Sequence, residues 1–255
     1  MSRNVEPPTS VRSARVSAVR ALAKKSERIT TGQFIAEGIQ SVREALTYEP
    51  GSISEIYATG AMISQHPILS GAVEIADEVL AAMCDTKSPQ GVIAVCHLPN
   101  ISLSSLNATQ GRVAILSNVR DPGNAGTIIR SADAFDFDAV LFVEDSVDPW
   151  SPKVVRSATG SHWHLPVTYG VSLSDAISWA HSQKCEVIAA DLSGEDLLST
   201  PTRAAWLFGN EAWGLSPAEL SQADRTFRIP MNGRAESLNL ATAAGIVFFL
   251  ASQAR

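Results

Sequence analysis

The chain has 255 residues, 45% of them hydrophobic and 18% charged, enough for two small domains with sizeable cores and not the composition of a disordered protein. Its 16 Gly and 13 Pro follow no period, which excludes collagen-like and repeat architectures. Three separated cysteines (Cys84, Cys96, Cys185) without a CxxC exclude a disulfide framework and a structural zinc site, so a reduced, soluble, intracellular protein is expected.

The net charge of −6 argues against a nucleic-acid partner, but its distribution does not. Residues 1–30 carry seven cations (Arg3, Arg12, Arg15, Arg20, Lys24, Lys25, Arg28) against Glu6 and Glu27, a local net of +5, leaving −11 on the other 225. A local cluster suffices to bind phosphates. A solvated terminus and an Arg- and Ser-rich targeting peptide are the competing readings. The apolar spacing Val16, Val19, Leu22, Ala23 predicts a helix over Val11 to Ser26, with its cations on the opposite face.

Gln33 to Gly38 then reads as a short strand, Ile39 to Leu46 as a helix, Ile53 to Ala58 as a strand, Asp77 to Met83 as a helix and Gly91 to Cys96 as an apolar strand. Such alternation over about 100 residues fits a small α/β sandwich. Pro99 to Gly111 is polar and rich in Ser and Asn, the best linker candidate. Beyond it, strands at Arg112–Val119, Ala139–Val143, Val187–Ala190, Ala205–Phe208 and Phe227–Met231 alternate with helices at Thr127–Phe135, Val154–Ala158, Ser174–Gln183 and Leu238–Gln253. That pattern implies a mostly parallel sheet with both faces covered. The expected domains are 1–98 and 112–255, joined by 99–111.

The longest apolar run, Leu240 to Ala251, is about 12 residues and too short to span a bilayer; neither a membrane span nor a secretory signal is expected. Ala241 to Leu250 is apolar on almost every face, so it must lie in a core or a subunit interface.

In such a sheet, ligands gather at loops after the C-terminal strand ends. Three stand out. Ser117 to Gly126 contains Asp121-Pro122-Gly123-Asn124, a turn delivering Asn124 just before a helix that carries Arg130 near its start. An amide and a guanidinium there suit an anion or phosphate, although for this motif taken alone a tight turn with a surface arginine is the favoured reading. Phe208 to Ser216 has a glycine after an apolar strand, which allows close backbone approach. It has neither the Walker A nor the GxGxxG pattern. Glu211 there orients a ligand, holds an arginine or caps a helix near Ser216-Pro217, and Trp213 reads as packing ahead of a stacking platform, although an aromatic here could do both. Ile229 to Asn239 offers Ser237 as a helix N-cap and Asn239 as an amide in the first turn. His162 and His164 flank Trp163 without a third ligand, so no metal site is expected.

Taken together and in order, NVRDPGNAGTIIRSADAF, LFGNEAWGLS and IPMNGRAESLNLATAAGI resemble motifs one, two and three of the SpoU-type (TrmH-like) RNA ribose 2′-O-methyltransferases, of the α/β-knot (SPOUT) class. The leading segment, with FIAEG and DTKSPQGVIAV, resembles the ribosomal-protein-L30-like RNA-binding domain often fused ahead of it. The resemblance spans nearly the whole chain. It implies an α/β fold with a trefoil-knotted C-terminal methyltransferase domain, a homodimer, S-adenosyl-L-methionine as methyl donor and a cytoplasmic RNA substrate, ribosomal before transfer RNA. Carried over, Asn124 and Arg130 are the motif-one catalytic pair, Glu211 the motif-two acid, and Ser237 and Asn239 the motif-three polar pair. Gly209, Ile229 and Leu238, with Gly214 and Met231, are the expected cofactor cradle. Asn210 departs from the smaller residue of many relatives, which bears on the pocket rim.

A guanidinium is effectively never neutral, so Arg130 is expected to clamp an RNA phosphate and stabilise the forming alkoxide rather than act as a free base, with Asn124 and Ser237 fixing its orientation. Arg12, Arg15, Arg20, Lys24, Lys25 and Arg28 are the expected RNA anchors. Alternatives are a transfer-RNA enzyme, a thiopeptide-resistance ribosomal RNA enzyme and, from another class, a non-catalytic RNA-binding ribosome-assembly factor. A dinucleotide oxidoreductase lacks its glycine fingerprint.

Overall fold

A computed structural model describes residues 7–197 and 199–254, so Met1 to Glu6, including the expected cation Arg3, lie outside the described residues. The chain divides into two compact units, one of Met1–Asn100 with Trp150–Trp163, the other of Ile101–Pro149 with His164–Arg255.

The first unit opens with helices α1 (Ala14–Ala21) and α2 (Lys25–Thr31), then β1 (Gln33–Glu37), α3 (Ile39–Tyr48), β2 (Ile53–Ala58), α4 (Gly60–Gln65), β3 (Val73–Glu74), α5 (Asp77–Met83) and β4 (Val92–His97). The sheet runs β1-β4-β2-β3, antiparallel except for the β2–β3 pair. One face takes Val16 and Val19 of α1, its C-cap Leu22, and Val79, Leu80 and Met83 of α5 against Ile35, Tyr57, Ile93 and Val95.

The single helix expected over 11–26 is two helices. Ser13 caps α1 by accepting from the Val16 N–H, and Lys24 is extended. Arg28 is the cause: it is 2% exposed, and its Nη1 donates to the carbonyls of Leu22 (2.8 Å) and Ala23 (2.9 Å). Its guanidinium thereby satisfies carbonyl groups left open at the end of α1. Arg28 is therefore structural and not available to RNA. Arg15 is also engaged, donating to the Tyr57 hydroxyl at 2.8 Å and pairing with Glu55.

Helix α7, Pro152–Ala158, belongs to this unit although sequence places it with the second domain. The reason is aromatic burial: the Phe34 ring lies 4.9 Å from Trp150 and 6.1 Å from Trp163. Arg156 pairs with the buried Glu37 at 2.8 Å.

The second unit contains β5 (Arg112–Leu116), α6 (Pro122–Ala134), β6 (Ala139–Val143), β7 (Val167–Val171), α8 (Leu173–Ser182), β8 (Glu186–Asp196), β9 (Ala204–Phe208), α9 (Pro217–Leu220), β10 (Arg225–Arg228) and α10 (Leu240–Gln253). Its sheet order is β10-β8-β9-β5-β6-β7, and every pairing is parallel. Alternate residues of the central strands face α8, joining Val113, Ile115, Leu141, Val187 and Leu207 to Trp179. On the other face Phe248 of α10 meets Phe137 at 4.1 Å and Phe208 at 5.8 Å.

The segment expected as a linker, 99–111, is docked onto this unit from Ile101 onward. Leu106 and Ala108 are buried in its core, and Arg203 donates to the Ala108 carbonyl at 2.6 Å. The chain runs β5-β6-β7 to one edge, crosses to β8, and returns to place β9 beside β5. The order reverses between β5 and β9, and in open α/β sheets ligands bind at such a reversal.

Candidate active site

The loops that follow β5 and β9 leave the sheet side by side at this reversal. The Ser117 N–H donates to the Phe208 carbonyl at 2.8 Å. After β9 the backbone closes a five-residue turn, with Asn210 and Gly214 exchanging both N–H···O bonds at 3.0 and 2.9 Å. Asn210 is buried. Its Nδ2 donates to the Asn118 carbonyl at 2.8 Å, and its Oδ1 accepts from the Ala212 N–H at 2.8 Å. Asn210 thus ties the two loops together, a role sequence reasoning misses by treating it as a rim substitution.

Helix α6 starts at Pro122, earlier than expected. Asp121 is its N-cap, accepting from the Asn124 N–H at 2.7 Å, and Pro122 takes the first helical position, where no amide hydrogen is needed. Asn124 therefore lies in the first turn. Arg130, expected near the start, lies eight residues beyond Pro122, about 12 Å along the axis at 1.5 Å per residue. It is exposed.

Glu211 caps no helix of its own; the capping carboxylate of α9 is Glu219, in a capping box with Ser216. Glu211 instead sits over the start of α6. Its Oε2 accepts from the Arg120 N–H at 3.1 Å, and its Oε1 accepts from the Asp121 N–H at 2.9 Å and from Asn124 Nδ2 at 3.3 Å. Partial burial pushes this carboxyl up, but the hydrogen bonds from Asp121, Arg120 and Asn124 outweigh it and hold the pKa below the usual glutamate value. Glu211 stays an anion at neutral pH.

The Asn124 amide is oriented by that anion. A carboxylate only accepts, so the NH₂ of Asn124 faces Glu211 and its Oδ1 accepts from Asn239 Nδ2 at 2.9 Å. Asn239 then has only its oxygen left, and this accepts from the Thr242 N–H at 3.2 Å to cap α10. The capping role expected of Ser237 falls to Asn239, two residues later. One polar chain, Glu211–Asn124–Asn239, connects all three loops.

A cavity of about 360 Å³ opens beside it. All five expected cradle residues line it: Gly209, Gly214, Ile229, Met231 and Leu238. So do Glu211, Ser237 and Trp213. The apolar walls are Phe208, Phe227, Leu240 and Ala243, and Asp191 and Arg228 are its other charged residues; Arg228 is paired with Asp196 at 2.6 Å. Arg130, Asn124 and Asn239 are not among the lining residues. Trp213 is 65% exposed, so the packing reading fails. Among the described residues there is no cluster of three potential metal ligands, and no helix is long and apolar enough to cross a membrane.

An α/β fold with a parallel sheet and a cavity beside its switch point, walled by β8 and the loops after β9 and β10, has the form of a small-molecule site. The chain belongs to the SpoU rRNA Methylase family, which residues 111–249 match, and residues 13–94 match an MRM3-like substrate binding domain. It is 33% identical to the 23S rRNA (guanosine(2553)-2′-O)-methyltransferase RlmP of Bacillus subtilis, over 94% of this chain and 96% of that one. It is 27% identical to a 23S rRNA (uridine(2479)-2′-O)-methyltransferase of Streptomyces viridochromogenes, over 92% and 87%. The structure of an AdoMet-bound rRNA methyltransferase from Sinorhizobium meliloti matches with a TM-score of 0.83 at 31% identity, covering 96% of this chain and 97% of that one.

Proposed function

We propose that this protein transfers a methyl group from S-adenosylmethionine to a ribose 2′-oxygen of ribosomal RNA. The observation that carries the reading is one cavity walled by the loops after β9 and β10, which Glu211, Asn124 and Asn239 tie to the loop after β5. The residues fit the donor. The volume of about 360 Å³ is in the range of small-molecule sites. Apolar walls suit an adenosine, backbone groups of the glycine-bearing turns suit its polar edges, and the Asp191 and Glu211 carboxylates complement a positive sulfonium. Bound there, the donor supplies an electrophilic methyl carbon.

The rest is the work of the chain. It must align the ribose hydroxyl, which is worth several kcal/mol of a barrier, and manage its proton. Glu211 is an anion committed to three hydrogen bonds, so it positions the loops rather than taking the proton. Ser237 lies on the cavity wall with its hydroxyl unbonded among the described residues, suited to hold the ribose hydroxyl. Arg130, exposed on α6, suits an RNA phosphate. Arg130→Lys keeps the charge but loses the bidentate fork. It is expected to cut kcat/KM for RNA about 10- to 100-fold, the worth of a charged hydrogen bond, with S-adenosylmethionine binding unchanged by calorimetry.

The first unit, read as the L30-like module, is proposed to hold the RNA. Of its expected anchors among the described residues, Arg12, Arg20, Lys24 and Lys25 are exposed. Deleting residues 1–30 is a poor test, because Val16, Val19 and Leu22 are core. The double substitution Arg20→Glu with Lys24→Glu leaves that core intact. It is expected to weaken RNA binding and to flatten its salt dependence, the log–log slope falling by about 0.7 for each phosphate no longer neutralised.

The homodimer is part of the proposal: Ile246, Phe249 (51% exposed) and Leu250 put an apolar stripe on one face of α10, and a second copy of the chain would cover it. Phe249→Glu is expected to give monomers by light scattering. The knot is proposed too, supported by the insertion of β9 between β5 and β8, and the cytoplasm is the compartment where such a substrate would be met. The deciding experiment incubates the protein with labelled donor and unmodified ribosomal or transfer RNA, then maps the labelled ribose. Label on ribosomal RNA supports the reading. Label on transfer RNA alone shifts the substrate, and absence of donor binding indicates a non-catalytic RNA-binding factor.

A further inference from the structure

Trp213 stands apart from the other tryptophans. Trp150, Trp163, Trp179 and Trp206 are buried, whereas Trp213 is 65% exposed. This is not the exposure of a loose loop. The N–H of Ala212, just before it, bonds the Asn210 side chain at 2.8 Å. The N–H of Gly214, just after it, bonds the Asn210 carbonyl at 2.9 Å. Glu211, two residues earlier, is held by two backbone amides and Asn124. A fixed backbone therefore presents a large apolar ring to water at the cavity, where Leu192, 59% exposed, also lines the wall.

We infer that Trp213 is the stacking platform for the base of the nucleotide whose ribose enters the cavity. This rests on the RNA methyltransferase reading and adds a positioning residue to it. A ribose reaching the cavity brings its own base to the mouth. That base must leave its stacked neighbours in the RNA, and an indole face replaces the missing stacking for any base. Because the turn is already rigid, little ordering is required when the base arrives. The indole touches the base and not the reacting atoms, so it sets RNA affinity and alignment rather than the methyl-transfer chemistry.

The test uses the full chain, unmodified 23S ribosomal RNA transcribed in vitro, and S-adenosylmethionine. With four tryptophans buried, acrylamide quenching of the intrinsic fluorescence reports mainly Trp213. Accessibility in the free protein, abolished on adding RNA, is expected. Trp213→Ala is expected to raise the KM for RNA about tenfold, the scale of one stacked base, with an unchanged dissociation constant for S-adenosylmethionine, and Trp213→Phe to restore most of it. An unchanged KM overturns the inference. So does an equal loss of donor affinity, which would make the indole a wall of the cofactor site, or a Trp213 already shielded in the free protein, which would make it a contact between copies. If the wild type binds donor but methylates no RNA, the function proposal falls and takes this inference with it; the other outcomes overturn the inference alone.

Discussion

Gly209→Ala is expected to lower the melting temperature by several degrees and to weaken S-adenosylmethionine binding at least about tenfold. A Cβ at Gly209 would lie 2.4 Å from the Gly214 carbonyl carbon, 2.5 Å from its oxygen and 2.6 Å from the Leu215 nitrogen. All three are backbone atoms, so no side-chain rotation relieves the clash and the turn has to open. Overpacking of this kind costs about 1–3 kcal/mol, and each kcal/mol is worth about 2–4 °C in a chain of this size. The same movement pulls apart the wall formed by Gly209, Gly214 and the residues between them. Gly214 provides the control. Nothing lies within 4 Å of its position for a Cβ, but its φ is +68°, which Asn tolerates and β-branched residues do not. Gly214→Asn should therefore leave melting temperature and donor affinity near wild type, while Gly209→Asn should be at least as damaging as Gly209→Ala. Calorimetry and thermal melts on these variants separate the two causes. Equal tolerance at both positions would show that close backbone approach is not what Gly209 provides.

The contrast between these glycines also marks what the sequence could disclose. Strands β5, β6 and β9 are runs of buried apolar residues, and such runs announce a covered parallel sheet. The three loops are legible because Gly, Pro and Asn after a strand mark special backbone geometry. All five cradle residues named from the resemblance do line one cavity.

What escapes a sequence reading is set by partners distant in the chain or by two residues able to do one job. Asp121-Pro122 serves as a turn or as a cap followed by the first helical residue, and here it is the cap. Ser237 and Asn239 can both cap α10, and the bond from Asn239 to Asn124, 115 positions away, selects Asn239. The break between α1 and α2 is made by a side chain curling back from just beyond the expected helix. No local pattern assigns Trp150 and Trp163 to the first unit; their partner is Phe34. Strand β7 escapes because only Val167 and Thr168 are buried, so it shows no apolar run, and because Gly170 at φ +77° interrupts it.

Glu211→Gln is the substitution expected to damage catalysis most while preserving the fold. The carboxylate receives three donors and gives none. An amide has one accepting oxygen, so its NH₂ must point either at the Arg120 N–H or at the Asp121 N–H and Asn124 Nδ2. Leaving such donors facing a donor costs about 1–3 kcal/mol. The error also propagates. If Asn124 turns its oxygen toward the new NH₂, its own NH₂ meets that of Asn239, and Asn239 must then choose between Asn124 and the cap of α10. We expect kcat/KM to fall about 100-fold, a loss equivalent to roughly 2–3 kcal/mol. Combining Glu211→Gln with Asn124→Ala should cost much less than the sum of the two, because both break the same chain. The pH dependence has a defined sign. The folded pKa of Glu211 is depressed, so its contribution to stability is complete above the unfolded value of about 4.3 and is lost as pH falls through the lower folded value. Acidification below about pH 4.3 should therefore destabilise the wild type more than Glu211→Gln, narrowing the gap between their melting temperatures. A gap that stays constant or widens on acidification would mean that the ionised carboxylate is not what holds the two loops together.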